Sequence, residues 1–281
     1  MILYKNIGPL RQWLAERRRK GQTIGFVPTL GALHQGHLSL IEAARRGNDI
    51  TVASIFVNPT QFNDPKDFEK YPRTLEKDIG LLETAGTDLL FLPGVAEIYP
   101  EGTGQLRQYD LGYLETILEG KYRPGHFQGV CNVVERLLRA VEPDDLYMGQ
   151  KDYQQCMVVK RLLQLMGSPI RLHPCPTLRE ADGLAMSSRN MRLGPAERAN
   201  APAMYRALRH LQEALRPGPL APLPIEAAAI LERHGFRVDY VEVADADTLE
   251  PVGDWDGRRK LVALAAAFQQ EVRLIDNLLL N

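Results

Sequence analysis

Between residues 23 and 57 a strand-like run, a helical run and a second strand-like run follow one another within about 35 residues, the spacing of a βαβ unit. Thr23-Ile24-Gly25-Phe26-Val27 reads as a short strand, and Pro28 is expected to stop it. Gly31 and Gly36 then punctuate a tight turn. Leu38, Leu40, Ile41 and Ala44 fall on one helical face that ends near Gly47. Residues 51–57 are rich in β-branched side chains and end at Asn58-Pro59. Two strands joined through a helix run parallel, because an antiparallel pair would need only a hairpin. Parallel strands in turn demand helices over both faces of the sheet.

The alternation continues along the chain. Leu75, Ile79 and Leu82 mark a helix closed by Gly86, and residues 88–92 read as the next strand. Val130, Val133, Val134, Leu137, Leu138 and Val141 keep helical spacing until Pro143. Residues 145–148 read as a buried strand, Cys156, Val159, Leu162 and Leu163 as a helix face, and 170–173 as a strand. This order predicts an α/β fold, a Rossmann-like doubly wound parallel sheet, over residues 1–176. Beyond Pro174-Cys175-Pro176 the rhythm changes. A long helix over 195–215, a proline-rich loop (Pro217, Pro219, Pro222, Pro224) and another helix precede strand-like runs at 237–243, 260–265 and 273–278. That grouping predicts a second, smaller α+β domain over 177–281.

The length of 281 residues suits one large and one small domain. A formal net charge of −1 gives no overall pull toward nucleic acid or anionic lipid. The one basic run, Arg17-Arg18-Arg19-Lys20, is read as a solvated helix end rather than an RNA contact. Cys131, Cys156 and Cys175 are odd in number and lack a Cys-x-x-Cys pair, which points to free thiols in a reducing compartment. Neither a secretory pattern nor a run of about eighteen apolar residues is readable. The expectation is a soluble, cytoplasmic protein with no nucleic-acid or membrane partner.

The chemistry concentrates in Pro28-Thr29-Leu30-Gly31-Ala32-Leu33-His34-Gln35-Gly36-His37, where a strand meets the N-terminus of its helix. Ligands of open α/β sheets bind at that edge, and a helix N-terminus favours anions. His34 and His37 are three apart and share a side, and Gly36 leaves room for a phosphate or an adenine. A histidine taken singly is more often a hydrogen-bonded structural residue than a catalyst. As a metal site the pair lacks a Cys, third His or carboxylate at supporting spacing, so no protein metal site is expected. With the glycines and the strand end, the segment reads as a holder of polyphosphate. A second segment, Leu184-Ala185-Met186-Ser187-Ser188-Arg189-Asn190, offers two hydroxyls and a forked guanidinium suited to phosphates. By itself Ser-Ser-Arg is ordinary in exposed turns, and it gains weight from its place at the predicted domain junction.

His34-Gln35-Gly36-His37 and Met186-Ser187-Ser188-Arg189 resemble the paired HIGH and KMSKS signatures of the nucleotidyltransferase superfamily, which includes class I aminoacyl-tRNA synthetases. Longer strings narrow the resemblance. They are residues 27–37, Ser54-Ile55-Phe56-Val57-Asn58-Pro59-Thr60-Gln61-Phe62, Tyr71-Pro72-Arg73-Thr74, Arg123-Pro124-Gly125-His126-Phe127, Gly149-Gln150-Lys151-Asp152-Tyr153-Gln154-Gln155, residues 182–190 and Arg273-Leu274-Ile275-Asp276-Asn277. Together they resemble the pantothenate synthetase (pantoate–β-alanine ligase) family over essentially the whole chain.

The resemblance implies ATP as a substrate with Mg²⁺, pantoate and β-alanine as the molecules joined, and a homodimer formed through the N-terminal domain. It implies an ATP site made by Leu30, Gly31, Ala32, Leu33, His34, Gln35, Gly36 and His37, by Gly149, Gln150, Lys151 and Asp152, by the backbone of Leu178, and by Met186, Ser187, Ser188 and Arg189. Catalytic roles would fall on His34, His37, Lys151 and Arg189, with His37 the usual proton donor. Gln61 and Gln155 would hold pantoate, with His126 and Asn58 beside them and Tyr71, Glu119 and Arg123 in a supporting shell. Without the resemblance the two glutamines would read as ordinary surface residues. Leu30 stands where the family commonly has methionine, a near volume-conserving change. Gln35 and Gln150 stand where acidic residues are frequent and remove charge from the rim. The implied reaction passes through a pantoyl-adenylate, releasing pyrophosphate and then AMP. The other reading is a nucleotidyltransferase of the same superfamily acting on a different small substrate. An RNA-binding synthetase-like protein is disfavoured by the near-neutral charge and the lack of an appended basic domain.

Overall fold

The computed structural model describes residues 1–63, 65–104 and 106–281, and the chain divides into two units. The first comprises Met1–Gln150 with Gln154–Pro176, the second Lys151–Tyr153 with Thr177–Asn281.

The first unit runs β1 (Ile2–Tyr4), α1 (Ile7–Arg19), β2 (Ile24–Thr29), α2 (Gln35–Gly47), β3 (Ile50–Ile55), α3 (Leu75–Thr84), β4 (Leu89–Phe91), α4 (His126–Val141), β5 (Asp145–Gly149), α5 (Tyr153–Leu165) and β6 (Arg171–Cys175). These strands form a parallel sheet in the order β1-β4-β3-β2-β5-β6. Val27, Ala53 and Leu90 are buried in one cluster with Leu40, Ile41 and Ala44 of α2 and Leu82 of α3. Their strand neighbours Phe26, Val52, Leu89 and Phe91 point to the opposite face and are also fully buried. Burial on both faces is why these strands read as continuous apolar runs rather than alternating ones.

Pro28 does not end its strand. β2 pairs with β3 from Ile24 to Thr29, Pro28 included. The carbonyls of Thr23 and Thr29 accept bonds from Ile50 and Phe56, so odd-numbered residues face β3 and Pro28 faces β5. The β2–β5 register runs over Gly25 and Phe26, short of Pro28, so the missing N–H is on the side where the ladder has ended. Connections from β2 lead to β3 on one side, and those from β5 lead to β6 on the other. The strand order therefore switches between β2 and β5, where the ladder is short.

Two elements escaped the periodicity reading. β1 pairs with β4 at the sheet edge, and α1 carries Arg17, Arg18 and Arg19 in its last turn. Arg18 donates to the carbonyl of Glu142 at 2.8 Å, just past the end of α4, so part of the basic run fastens two helix ends.

The second unit contains α6 (Pro195–Asn200), α7 (Ala203–Ala214), α8 (Pro222–Arg233), β7 (Phe236–Asp245), β8 (Leu261–Gln269) and β9 (Val272–Leu279). The three strands form an antiparallel sheet in the order β9-β8-β7. Met204, Leu208 and Leu211 of α7 and Leu231 of α8 share a buried cluster with Val243, Ala263, Ala265 and Leu274. The single helix expected over 195–215 is two, because Pro202 has no N–H to continue the first and instead opens the second, its carbonyl accepting from Arg206 at 3.2 Å. Pro222 and Pro224, expected in a loop, occupy the first turn of α8, where N–H groups have no intrahelical acceptor. Among the described residues no helix is long and apolar enough to cross a membrane.

Candidate active site

Three segments emerge at the carboxyl ends of β2, β3 and β5, the edge where the strand order switches. The first is the turn between β2 and α2. Gly31 and Ala32 are both left-handed (φ 83° and 50°). A Cβ on Gly31 would meet Ile55 Cγ2 at 3.1 Å and Asp78 Oδ2 at 3.2 Å, so close packing as well as conformation requires glycine there. Asp78, on α3 and 1% exposed, accepts the N–H of Ala32 on Oδ2 and of Leu33 on Oδ1, each at 2.8 Å, and the Thr74 hydroxyl at 3.0 Å. Thr29 Oγ1 donates to the carbonyl of Ser54 at 2.7 Å and accepts from Gly31 N at 3.2 Å. A buried carboxylate thus holds a backbone turn that would otherwise be strained.

His34 is the N-cap of α2, with its carbonyl accepting from His37 N at 2.8 Å and Leu38 N at 3.2 Å. His37 Nδ1 accepts the N–H of His34 at 3.3 Å, and the ring centroids lie 4.0 Å apart. A nitrogen that accepts carries no proton, so the neutral His37 ring holds its proton on Nε2. Leu30 and both histidines are half-buried, Leu33 is buried, Gln35 is exposed, and Gly36, the second residue of the helix, has no side chain.

The second segment follows β3. Asn58 is fully buried and accepts on Oδ1 from Tyr99 Oη at 2.8 Å, Thr60 Oγ1 at 3.1 Å and Thr60 N at 3.3 Å. Burial pushes the Tyr99 phenol up, which keeps it a neutral donor. Asn58 Nδ2 donates to Gln61 Oε1 at 3.1 Å, which fixes the Gln61 amide with its nitrogen as the remaining donor. His126, at the start of α4 and 5% exposed, reaches the Gln61 carbonyl through Nδ1 at 2.7 Å, and Arg123 Nη1 approaches its Nε2 at 3.1 Å. A carbonyl only accepts and a guanidinium only donates, so His126 is protonated on Nδ1 and accepts on Nε2. Arg123 pairs with Glu119 at 3.6 Å. α4 comes so close that a Cβ on Gly129 would lie 2.1 Å from the Thr60 carbonyl.

The third segment follows β5. Gly149 ends the strand and Gln150 starts a single 3₁₀ turn, Gln150–Asp152. In the first turn of α5, Gln154 is buried, taking the Glu119 N–H on Oε1 at 2.9 Å and donating to the carbonyls of Leu114 and Ile117 at 2.8 and 3.0 Å. Its neighbour Gln155 is only half-buried. Adjacent glutamines thus divide between holding the scaffold and facing outward.

Lys151 and Asp152 belong to the second unit, 3.8 Å apart between Nζ and Oδ1. In that unit residues 178–186 form a hairpin, closed by Glu180 N to Leu184 O at 2.8 Å and Met186 N to Leu178 O at 3.0 Å. It leads directly into Ser187, whose Oγ accepts from Arg189 N at 3.2 Å and caps the 3₁₀ turn Ser188–Arg192. Ser188 is buried, and Met186, Ser187 and Arg189 are half-buried. Asp182 is held below the usual carboxylate range by Arg198, 2.5 Å away.

Sequence reading missed Asp78 and Arg179. Asp78 left a trace, as an acid on the apolar stripe of Leu75, Ile79 and Leu82. Arg179 left none, since its partner Asp276 lies 97 residues away.

A family profile described as pantoate-beta-alanine ligase matches residues 2–279. A pantothenate synthetase of Cytophaga hutchinsonii is 45% identical over 283 residues, covering 100% of this chain and 99% of that one. One from Thermus thermophilus is 48% identical over 258 residues, covering 91% of this chain and 92% of that one. A crystal structure of pantothenate synthetase from Thermus thermophilus aligns with a TM-score of 0.87 over 99% of both chains, at 44% identity. A pantoate-beta-alanine ligase from Francisella tularensis, complexed with beta-gamma ATP and beta-alanine, aligns with a TM-score of 0.83 over 99% of this chain and 97% of that one, at 38% identity. By profile, sequence and fold along its whole length, this chain belongs to the pantoate–β-alanine ligase family.

Proposed function

We propose that this pantoate–β-alanine ligase works through a pantoyl-adenylate. The carboxylate of (R)-pantoate attacks the α-phosphorus of ATP, and the bond to the β-phosphate breaks with its electron pair leaving on pyrophosphate. The amine of β-alanine then attacks the acyl carbon, the acyl–phosphate oxygen bond breaks, and AMP departs. Both partners of the first step are anionic, so the site has to supply cations and fixed donors rather than a covalent nucleophile.

The observation that carries this reading is the His34–His37 arrangement at the N-terminus of α2. The Nδ1 contact places the proton of the neutral His37 ring on Nε2, at a helix end that already favours phosphate. In this reading Leu30, Gly31, Ala32, Leu33, Gln35 and Gly36 line the same nucleotide, with Gly149 and Gln150 after β5. The family resemblance assigns Lys151, Asp152, Leu178, Met186, Ser187, Ser188 and Arg189 to it as well. Lys151 and Arg189 supply the cations. Gln61 and Gln155 hold pantoate, because neutral amides bond its hydroxyls and carboxylate without neutralising the nucleophile. Asn58 and His126 act beside them, Asn58 through the Gln61 amide and His126 through the Gln61 carbonyl. The beta-gamma ATP and beta-alanine named in the Francisella tularensis complex support these substrate classes.

Among the described residues no group of three or more His, Cys, Asp or Glu is placed to hold a metal ion. Mg²⁺ is implied by the family resemblance, and would offset charge on the triphosphate. Assembly as a homodimer, and a cytoplasmic setting, belong to the same reading and rest on the family resemblance. Sedimentation velocity tests the first, a monomer at micromolar concentration counting against it.

Pantoate-dependent exchange of labelled pyrophosphate into ATP, run without β-alanine, tests the adenylate route. Exchange is expected. Its absence in folded protein that still makes pantothenate would reject the intermediate.

A further inference from the structure

In the second unit one buried ion pair braces the hairpin that runs from Leu178 toward Ser187 and adjoins Asn277, which bonds Lys151. Asp276 sits on β9 with its side chain 1% exposed and takes both terminal nitrogens of Arg179, Nη1 to Oδ2 at 2.6 Å and Nη2 to Oδ1 at 3.1 Å. Its position along the strand is that of Val272 and Leu274, the inward apolar face. An ion pair in such a place contributes little net stability, because desolvation offsets the attraction and an apolar pair of similar volume serves as well. A geometric role accounts for it better.

Further contacts lead outward from the pair. Arg179 Nη1 also donates to the carbonyl of Gly183 at 3.1 Å, across the hairpin that begins at Leu178 and delivers the chain to Ser187, Ser188 and Arg189. Arg179 is paired opposite Ala185 in that hairpin, and its guanidinium lies 4.0 Å from the centroid of Tyr205. A Cβ on Gly183 would come within 2.4 Å of the same ring, so the hairpin turn can sit there only as glycine. On the other side, the Asn277 carbonyl accepts from Arg179 Nη2 at 3.2 Å, and its N–H donates to Asp276 Oδ1 at 2.8 Å. Asn277 Nδ2 then donates to the carbonyl of Lys151 at 2.8 Å.

We infer that Arg179, Asp276 and Asn277 are positioning residues that hold Lys151 and the segment Ser187-Ser188-Arg189 in one fixed relation, so that both cations meet the same triphosphate. They act through the backbone of Lys151 and the base of the hairpin. The inference deepens the proposed function and rests on the roles assigned there to Lys151 and Arg189. A fixed spacing matters because a displacement of about 1 Å at a reacting group costs on the order of a hundredfold in rate.

Asn277→Ala tests it most cleanly, since it removes the bond to Lys151 and leaves both charges of the ion pair in place. The expected result is a KM for ATP raised about five- to tenfold, the scale of one lost hydrogen bond, with KM for pantoate unchanged. A double-mutant cycle with Lys151→Ala supplies the readout that a merely structural role would not move. In the Lys151→Ala background, Asn277→Ala is expected to change pyrophosphate exchange by less than about twofold, because its effect passes through Lys151. Equal losses in both backgrounds, or a wild-type KM for ATP in folded Asn277→Ala, would overturn the inference. Should Asn277→Ala lack a cooperative melt, Arg179→Lys carries the same measurement, keeping the charge while losing the fork. Impaired Lys151→Ala beside normal Asn277→Ala defeats the positioning role alone. Normal exchange in Lys151→Ala defeats the role given to Lys151, and this inference with it.

Discussion

His37 accepts the backbone N–H of His34 on its ring Nδ1, at 3.3 Å, so one histidine sets the proton position of the other. In the proposed mechanism the useful donor is Nε2–H. Replacing either His34 or His37 by alanine should remove at least about 2.7 kcal/mol of transition-state stabilisation, roughly a hundredfold in kcat. His37→Gln places an amide nitrogen near the Nε2 position, whereas His37→Asn reaches only the Nδ1 position. Pyrophosphate exchange should therefore survive better in the glutamine variant. Wild-type kcat in an alanine variant would remove that histidine from the mechanism.

Asp78 should matter to the turn before α2 as much as the turn's own residues do. Asp78→Asn puts an NH₂ group against an N–H of Ala32 or Leu33 and leaves one donor unsatisfied in a site where the acid is 1% exposed. A stability loss of about 1–3 kcal/mol is expected, with a lower exchange rate in the protein that remains folded. Urea melts measure the first, and an unchanged midpoint would show that the turn holds without the carboxylate.

Gly129 is the point where α4 passes over the Asn58–Gln61 turn. A methyl group there would overlap the Thr60 carbonyl, so Gly129→Ala must push the helix from the turn. The expected cost is about 1–3 kcal/mol in stability, together with a KM for pantoate that rises more than the KM for ATP. Equal changes in the two constants would sever Gln61 from pantoate.

Acid stability should depend on Asp145. Arg171 first, against the opposing effect of burial, and then His173 hold its carboxyl below the usual range, with Arg171 Nη2 at 2.7 Å and His173 Nε2 at 2.6 Å. A carboxyl whose folded pKa is depressed stabilises the protein above its unfolded value, about 3.9, and loses that contribution as pH falls through the folded value. The wild-type melting temperature should accordingly drop below about pH 4. Asp145→Asn should be less stable at pH 7, by about 1–2 kcal/mol because Arg171 is largely solvated, and should show a shallower acid decline. Parallel acid profiles would contradict the assignment.

Most of the parallel sheet was legible from periodicity, because strands buried on both faces and helices with one apolar stripe leave local marks. The reading failed where two local rules compete. Pro28 looked like a stop, yet its missing N–H falls on the side where the β2–β5 ladder has already ended. Pro222 and Pro224 looked like loop residues, yet a first helical turn accepts proline without loss. β1 is too short for its pattern to stand out, and its pairing with β4 comes from residues 89–91.

Family membership, most of the order of strands and helices, and the strings around His34 and Ser187 were written in the sequence itself, since each leaves marks in residues close together in the chain. Only the fold decided what holds those strings. Asp78 meets Ala32 across 46 positions, Asp276 meets Arg179 across 97, and Asn277 meets Lys151 across 126. Such bonds depend on where a buried donor is left wanting once the sheet and helices have packed, and no local pattern encodes that need.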